Sequence, residues 1–140
     1  MRYLKPSFLI MFVALILAAC NTQSKESPKS GEVFSEDIQV YYFHNTKRCA
    51  TCNAVEDETK VALDMFYKDK VEAGTVGFVS LNLEEDEGAK MAKALQVSGQ
   101  TLLIVKGENQ VNLTNEGFMN ARTNPAKFHE ILKTQIDNLL

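Results

Sequence analysis

The most constraining feature of the chain is a change of hydrophobic period between Phe43 and Cys49. Ile38-Gln39-Val40-Tyr41-Tyr42-Phe43 is rich in β-branched and aromatic residues and reads as a strand. From Cys49 to about Glu72 the period is helical. Cys52, Val55, Thr59, Ala62, Leu63 and Phe66 recur at spacings of three and four, with Glu56, Asp57, Lys60 and Asp64 on the polar side. Gly74 suits the end of that helix. Thr75 to Leu83 then returns to strand composition. The folded part of the chain therefore opens with a strand–helix–strand unit.

The remaining elements follow the same logic. Glu84-Glu85-Asp86-Glu87 supplies the acids favoured in a first helical turn, and the helix they open runs to about Gln96 with Met91 and Leu95 on its buried side. Thr101-Leu102-Leu103-Ile104-Val105 is the most apolar strand and belongs inside the sheet. Lys106 to Asn109 turns it into an antiparallel partner over Gln110 to Thr114. A last helix begins near Asn124-Pro125, a cap followed by proline at the first helical position, with Phe128, Ile131, Leu132, Ile136 and Leu139 as its apolar stripe. The order β-α-β-α-β-β-α predicts an α/β three-layer sandwich around a four-stranded mixed sheet.

The N-terminal stretch has a different character. Arg2 and Lys5 precede an apolar run of twelve residues, Phe8 to Ala19. That is too short for a hydrocarbon core about 30 Å thick, but it suits a secretory h-region. Leu17-Ala18-Ala19-Cys20 ends the run and resembles the cleavage box of bacterial lipoprotein signals. The resemblance implies removal of residues 1–19, lipidation of Cys20 and anchoring to a bacterial membrane. The polar, Ser- and Lys-rich segment 20–35 is then a flexible tether with a reach of about 20 Å. Residues 36–140 form the working domain, one unit of ordinary size. Among 140 residues, 18 carboxylates outnumber 15 Lys plus Arg, a balance that argues against a nucleic-acid partner.

Lipidation of Cys20 would leave an even pair, Cys49 and Cys52, in Cys49-Ala50-Thr51-Cys52. On a helical turn this spacing brings the two Cβ atoms about 5–6 Å apart, within adjustment of a disulfide. Cys49 falls at the helix N-terminus, where unpaired N–H groups favour an anion, and Lys47 and Arg48 add positive charge. These factors lower a thiol pKa and make Cys49 the expected attacking thiolate, with Cys52 as a buried resolving thiol. Three uses stay open for the pair: redox exchange, metal or metalloid binding with His44 as a third ligand, and a purely structural disulfide. His44, at the strand end, either faces the thiolate or is a solvated loop histidine. His129 is expected on an exposed helix surface.

The stretch YYFHNTKRCATC, with the element order around it, resembles the thioredoxin-like family over residues 36–140. Within that family the chain looks most like the small thioredoxin-like lipoproteins of anaerobic bacteria, some of them labelled ArsF-type. The resemblance implies a thiol–disulfide oxidoreductase in the cell envelope, needing no cofactor. Its partners would be a protein or small-molecule disulfide or thiol and a membrane electron donor. Two departures stand out. The family usually has a cis-proline opposite the cysteines, where this chain has Gly99, Gln100 and Thr101, the candidate substrate loop. It also often has a buried acid in the strand before the cysteines, where this chain has Tyr41, Tyr42 and Phe43. Proton transfer to Cys52 would then fall to Glu56 or to water.

Overall fold

A computed structural model describes residues 35–140. The expected signal segment, Cys20 and all of the tether except Ser35 lie outside the described residues. The elements are β1 (Ile38–His44), α1 (Ala50–Glu72), β2 (Val76–Asn82), α2 (Asp86–Ala94), β3 (Thr101–Lys106), β4 (Asn109–Asn112), α3 (Thr114–Asn120) and α4 (Pro125–Asp137). The sheet runs β2-β1-β3-β4. β1 pairs parallel with β2 and antiparallel with β3, which pairs antiparallel with β4. This is an α/β fold around a four-stranded mixed sheet, as the sequence predicted, and it resembles thioredoxin.

β1 is central, and its composition explains why. Ile38, Val40 and Tyr42 join the core under α1, α3 and α4, while Tyr41 and Phe43 join the core under α2. A strand covered on both faces needs apolar side chains at successive positions rather than in alternation. α1 ends as Gly74 suggested. Gly74 takes φ +80°, its N–H reaches the Val71 carbonyl, and the Thr75 N–H reaches that of Lys70. These two bonds satisfy carbonyls that the helix end would otherwise leave open. α4 starts at the Asn124 cap, whose side chain accepts from the Lys127 N–H, with Pro125 directly after it.

Five details differ from expectation. α3 is an additional short helix, and β4 ends at Asn112 instead of continuing to Thr114. The Asn112 side chain accepts from the Thr114 N–H and turns the chain there. Gly117, a poor helix former, sits inside α3 because a Cβ would stand 3.3 Å from the Val55 side chain. α2 starts at Asp86 rather than Glu84, because the Asn82 side chain accepts from the Glu84 N–H and holds a turn. Glu56, placed on the polar side of α1, is only 8% exposed. His129, expected at the surface, is 9% exposed, with Nε2 2.7 Å from Glu58 Oε2. In both cases a charged partner, Arg48 and Lys60 for Glu56 and Glu58 for His129, satisfies the polar group that packing encloses.

Candidate functional site

The CATC segment sits where β1 passes into α1, and the local backbone makes Cys49 the helix cap. Cys49 is extended (φ −83°, ψ 166°) and its Sγ accepts from the Cys52 N–H at 3.1 Å. A sulfur thus occupies the place usually filled by a Ser, Thr, Asp or Asn oxygen. Cys49 and Cys52 form a disulfide, with Cα atoms 5.0 Å apart. Their environments differ: Cys49 is exposed, whereas Cys52 is 3% exposed. The first turn of α1 carries no acidic residue, so nothing of its own opposes an anion at the cap.

Beneath the turn lies a polar cluster. Tyr42, fully buried on β1, donates its hydroxyl to the Cys52 carbonyl at 3.0 Å. Burial pushes the Tyr42 phenol pKa up, partly offset by the Arg48 charge. Arg48 lies over the Tyr42 ring, 5.5 Å from its centroid, and forms an ion pair with Glu56 Oε2. The contact is ionic in character. Among the described residues Arg48 Nε and Nη2 find no acceptor at hydrogen-bond angles, although Nη2 is close to the carboxylate. Glu56 Oε1 accepts from Lys60, and Oε2 also accepts from the Ser80 hydroxyl at 3.1 Å. Burial alone would raise the Glu56 pKa. The hydrogen bond from Lys60 and the charges of Lys60 and Arg48 outweigh it and hold the carboxyl below its ordinary value.

The sequence-predicted residues are therefore distributed unevenly. Arg48 is drawn to Glu56 and Tyr42, while Lys47 is exposed. Both oxygens of Glu56 are engaged by Arg48, Lys60 and Ser80, an arrangement that favours a fixed anion over a proton acceptor. His44 is half-buried, and its Nδ1 lies 3.0 Å from the Asn45 carbonyl, a contact that makes Nδ1 the donor. Among the described residues no three His, Cys, Asp or Glu side chains are grouped so as to hold a metal ion, including Cys49, Cys52 and His44.

Across the sheet, Thr101 pairs with Phe43, which brings Gly99 and Gln100 to the same sheet end as His44. Gly99 takes φ +84° and its carbonyl accepts from the Thr101 hydroxyl at 3.2 Å. The described residues contain no cis peptide bond, so Gln100-Thr101 is trans, as expected where the residue is not proline. The Gln100 Oε1 is buried and has no hydrogen-bond partner among the described residues.

On the other flank, the Thr46 N–H donates to Glu84 Oε1 and Asn82 Nδ2 donates to Thr46 Oγ1. The Leu83 N–H donates to the His44 carbonyl at 2.8 Å. The loop before Cys49 is thereby fastened to the β2–α2 turn. Sequence reasoning missed Tyr42, Lys60, Ser80 and Asn82. The register sets Tyr42 opposite Ser80 and brings both to the cluster under the CATC turn, whereas Lys60 meets Glu56 within α1, four residues on.

No family model and no curated protein matches the chain. A solved structure described as "Structure of a malarial protein" is similar over 67% of this chain and 96% of its own, with 17% identity and a TM-score of 0.44. A likeness at that level carries no argument about function.

Proposed function

We propose that the protein is a thiol–disulfide oxidoreductase whose working pair is Cys49 and Cys52. The observation that carries this reading is the asymmetry of the pair at the N-terminus of α1: an exposed sulfur at the cap and a buried one a turn deeper. In the reduced protein, the Cys49 thiolate attacks one sulfur of a substrate disulfide. A Cys49–substrate disulfide forms and one substrate thiolate leaves. Cys52 loses its proton to solvent and attacks Cys49 Sγ, which releases the second substrate thiolate. The protein dithiol is oxidised by two electrons and the substrate disulfide is reduced to two thiols. Return of the pair to the dithiol needs a dithiol donor, which we place at the membrane.

The helix end supports the attacking state. The Cys52 N–H that now meets Cys49 Sγ is available to a thiolate at the same atom, and the acid-free first turn leaves the helix dipole to act on it. Access supports the division of labour, since only Cys49 is open to a substrate. In the same proposal the basic start, apolar run and Leu17-Ala18-Ala19-Cys20 box support lipid anchoring at Cys20 and work in the cell envelope.

The test uses an aromatic disulfide that releases a coloured thiolate. Reduced wild-type protein should release two equivalents and end as the Cys49–Cys52 disulfide. Cys52→Ser should release one and retain the other as a mixed disulfide on Cys49. Cys49→Ser should react at least about 100-fold more slowly through the buried thiol. Equal reactivity of the two thiols would refute the assignment. Anchoring is tested separately, by loss of fatty-acid labelling and of membrane association in Cys20→Ser.

A further inference from the structure

The residue just before Cys49 and the residue one turn beyond Cys52 meet under the CATC turn. Arg48 is held there by two contacts, the Tyr42 ring and the Glu56 carboxylate. Tyr42 in turn holds the Cys52 carbonyl. Around the pair stand Lys60 on α1, Ser80 and Phe78 on β2, and Tyr42 on β1, with Lys47 and His44 close by in sequence. A largely buried ion pair adds little net stability over apolar side chains of the same volume. Its consequence at this position is electrostatic, because a shielded charge is weakly screened by solvent and salt.

We propose that Arg48 and Glu56 are positioning residues of opposite sign for the activation of Cys49: Arg48 favours the Cys49 thiolate, and Glu56 holds that influence in check. The proposal rests on Cys49 being the attacking thiolate of a redox pair. Two features of the geometry support it. Arg48 is joined directly to the cap residue, and its guanidinium is held under the CATC turn by the Tyr42 ring and the Glu56 carboxylate. Glu56 is fixed from three sides, and its lowered pKa keeps it an anion through the range in which thiols titrate. A neutral partner at position 56 would leave the Arg48 charge under the CATC turn with no carboxylate to offset it.

The experiment measures two quantities on the purified full chain. One is the pH midpoint of Cys49 alkylation; the other is the dithiol–disulfide equilibrium against glutathione. Glu56→Gln should lower the midpoint by about one unit. It should also favour the reduced form about tenfold, equivalent to about 30 mV for a two-electron couple. Arg48→Met should move both quantities the opposite way. The double variant should return close to wild type, and Arg48→Lys, which keeps the charge, should stay within about twofold of it. Below the Cys49 midpoint, where the thiol is protonated in every variant, the differences in the equilibrium should vanish.

A merely structural role gives another pattern: both single variants shift in one direction and the double variant shifts further. That pattern, or unshifted variants of a wild type that exchanges normally, overturns the proposal. If Arg48→Met does not fold, the difference between Glu56→Gln and the double variant supplies the same sign test. A wild-type pair that does not exchange with glutathione overturns the redox reading, and this proposal with it.

Discussion

α1 and α2 begin at the same end of the sheet, each following one of two parallel strands, yet their first turns are built for different ends. α2 opens with Glu85 at the cap position and Asp86 and Glu87 in its first turn. Its dipole is met by its own carboxylates. It is also closed sterically, since Gly88 lies so near the Asn82 carbonyl that a Cβ would stand 2.0 Å from that oxygen. α1 has no acid in its first turn, and its cap is the Cys49 sulfur. The acid nearest in sequence, Glu56, lies beyond the first turn and is bound to Arg48, Lys60 and Ser80. The same electrostatic resource stabilises a fold in one helix and remains free for an anionic sulfur in the other.

The contrast can be broken most severely at α2. Gly88→Ala forces a methyl group against backbone and should cost about 3 kcal/mol, read as a lower urea midpoint with an unchanged Cys49 alkylation midpoint. A closed N-terminus made on α1 is the converse. Ala50→Asp, at an exposed first-turn position, should raise the Cys49 midpoint by about one unit, or about 1.4 kcal/mol against the thiolate. Tyr42→Phe removes the hydroxyl that holds the Cys52 carbonyl and should cost about 1 kcal/mol in thermal unfolding. Glu87→Gln should cost only about 0.5 kcal/mol and leave the glutathione equilibrium unmoved.

Acid titration sharpens the comparison further. The Glu56 carboxyl is held below its ordinary value in the folded protein, so its contribution to stability is full at neutral pH. That contribution fades as pH falls through the ordinary carboxylate range and is gone below the folded pKa. Glu56→Gln should therefore flatten the acid limb of a stability profile. A limb as steep as that of wild type would show that Arg48 and Lys60 do not favour the ionised form.

The fold was largely legible because its signals are local. The run Ile38 to Phe43, the Asn124-Pro125 start and Gly74 each act through neighbouring backbone, and these three features were found where they were expected. α3 was not legible, because its central Gly117 is chosen by contact with Val55 and Phe128 rather than by helix propensity. Nor was the kink of α1 at Tyr67, where φ −133° and ψ 21° leave the helical region. Its hydroxyl donates to the Lys133 carbonyl at 2.9 Å and to Asp137, both on α4, a contact no spacing in α1 foretells.

For the site, the sequence by itself determined the pair. Spacing on one helical turn and placement at a strand–helix junction are local facts, and they bring Cys49 and Cys52 within reach of one another. What surrounds the pair was decided by tertiary structure. Arg48 read as a charge for the thiol and Glu56 as a polar-face acid available for proton transfer to Cys52, because sequence spacing cannot show which charges will face each other. The parallel register of β1 with β2 set Tyr42 opposite Ser80, and α1 laid Glu56 against both Ser80 and Arg48. Charge acts through space, so its balance at Cys49 is fixed only when distant segments meet.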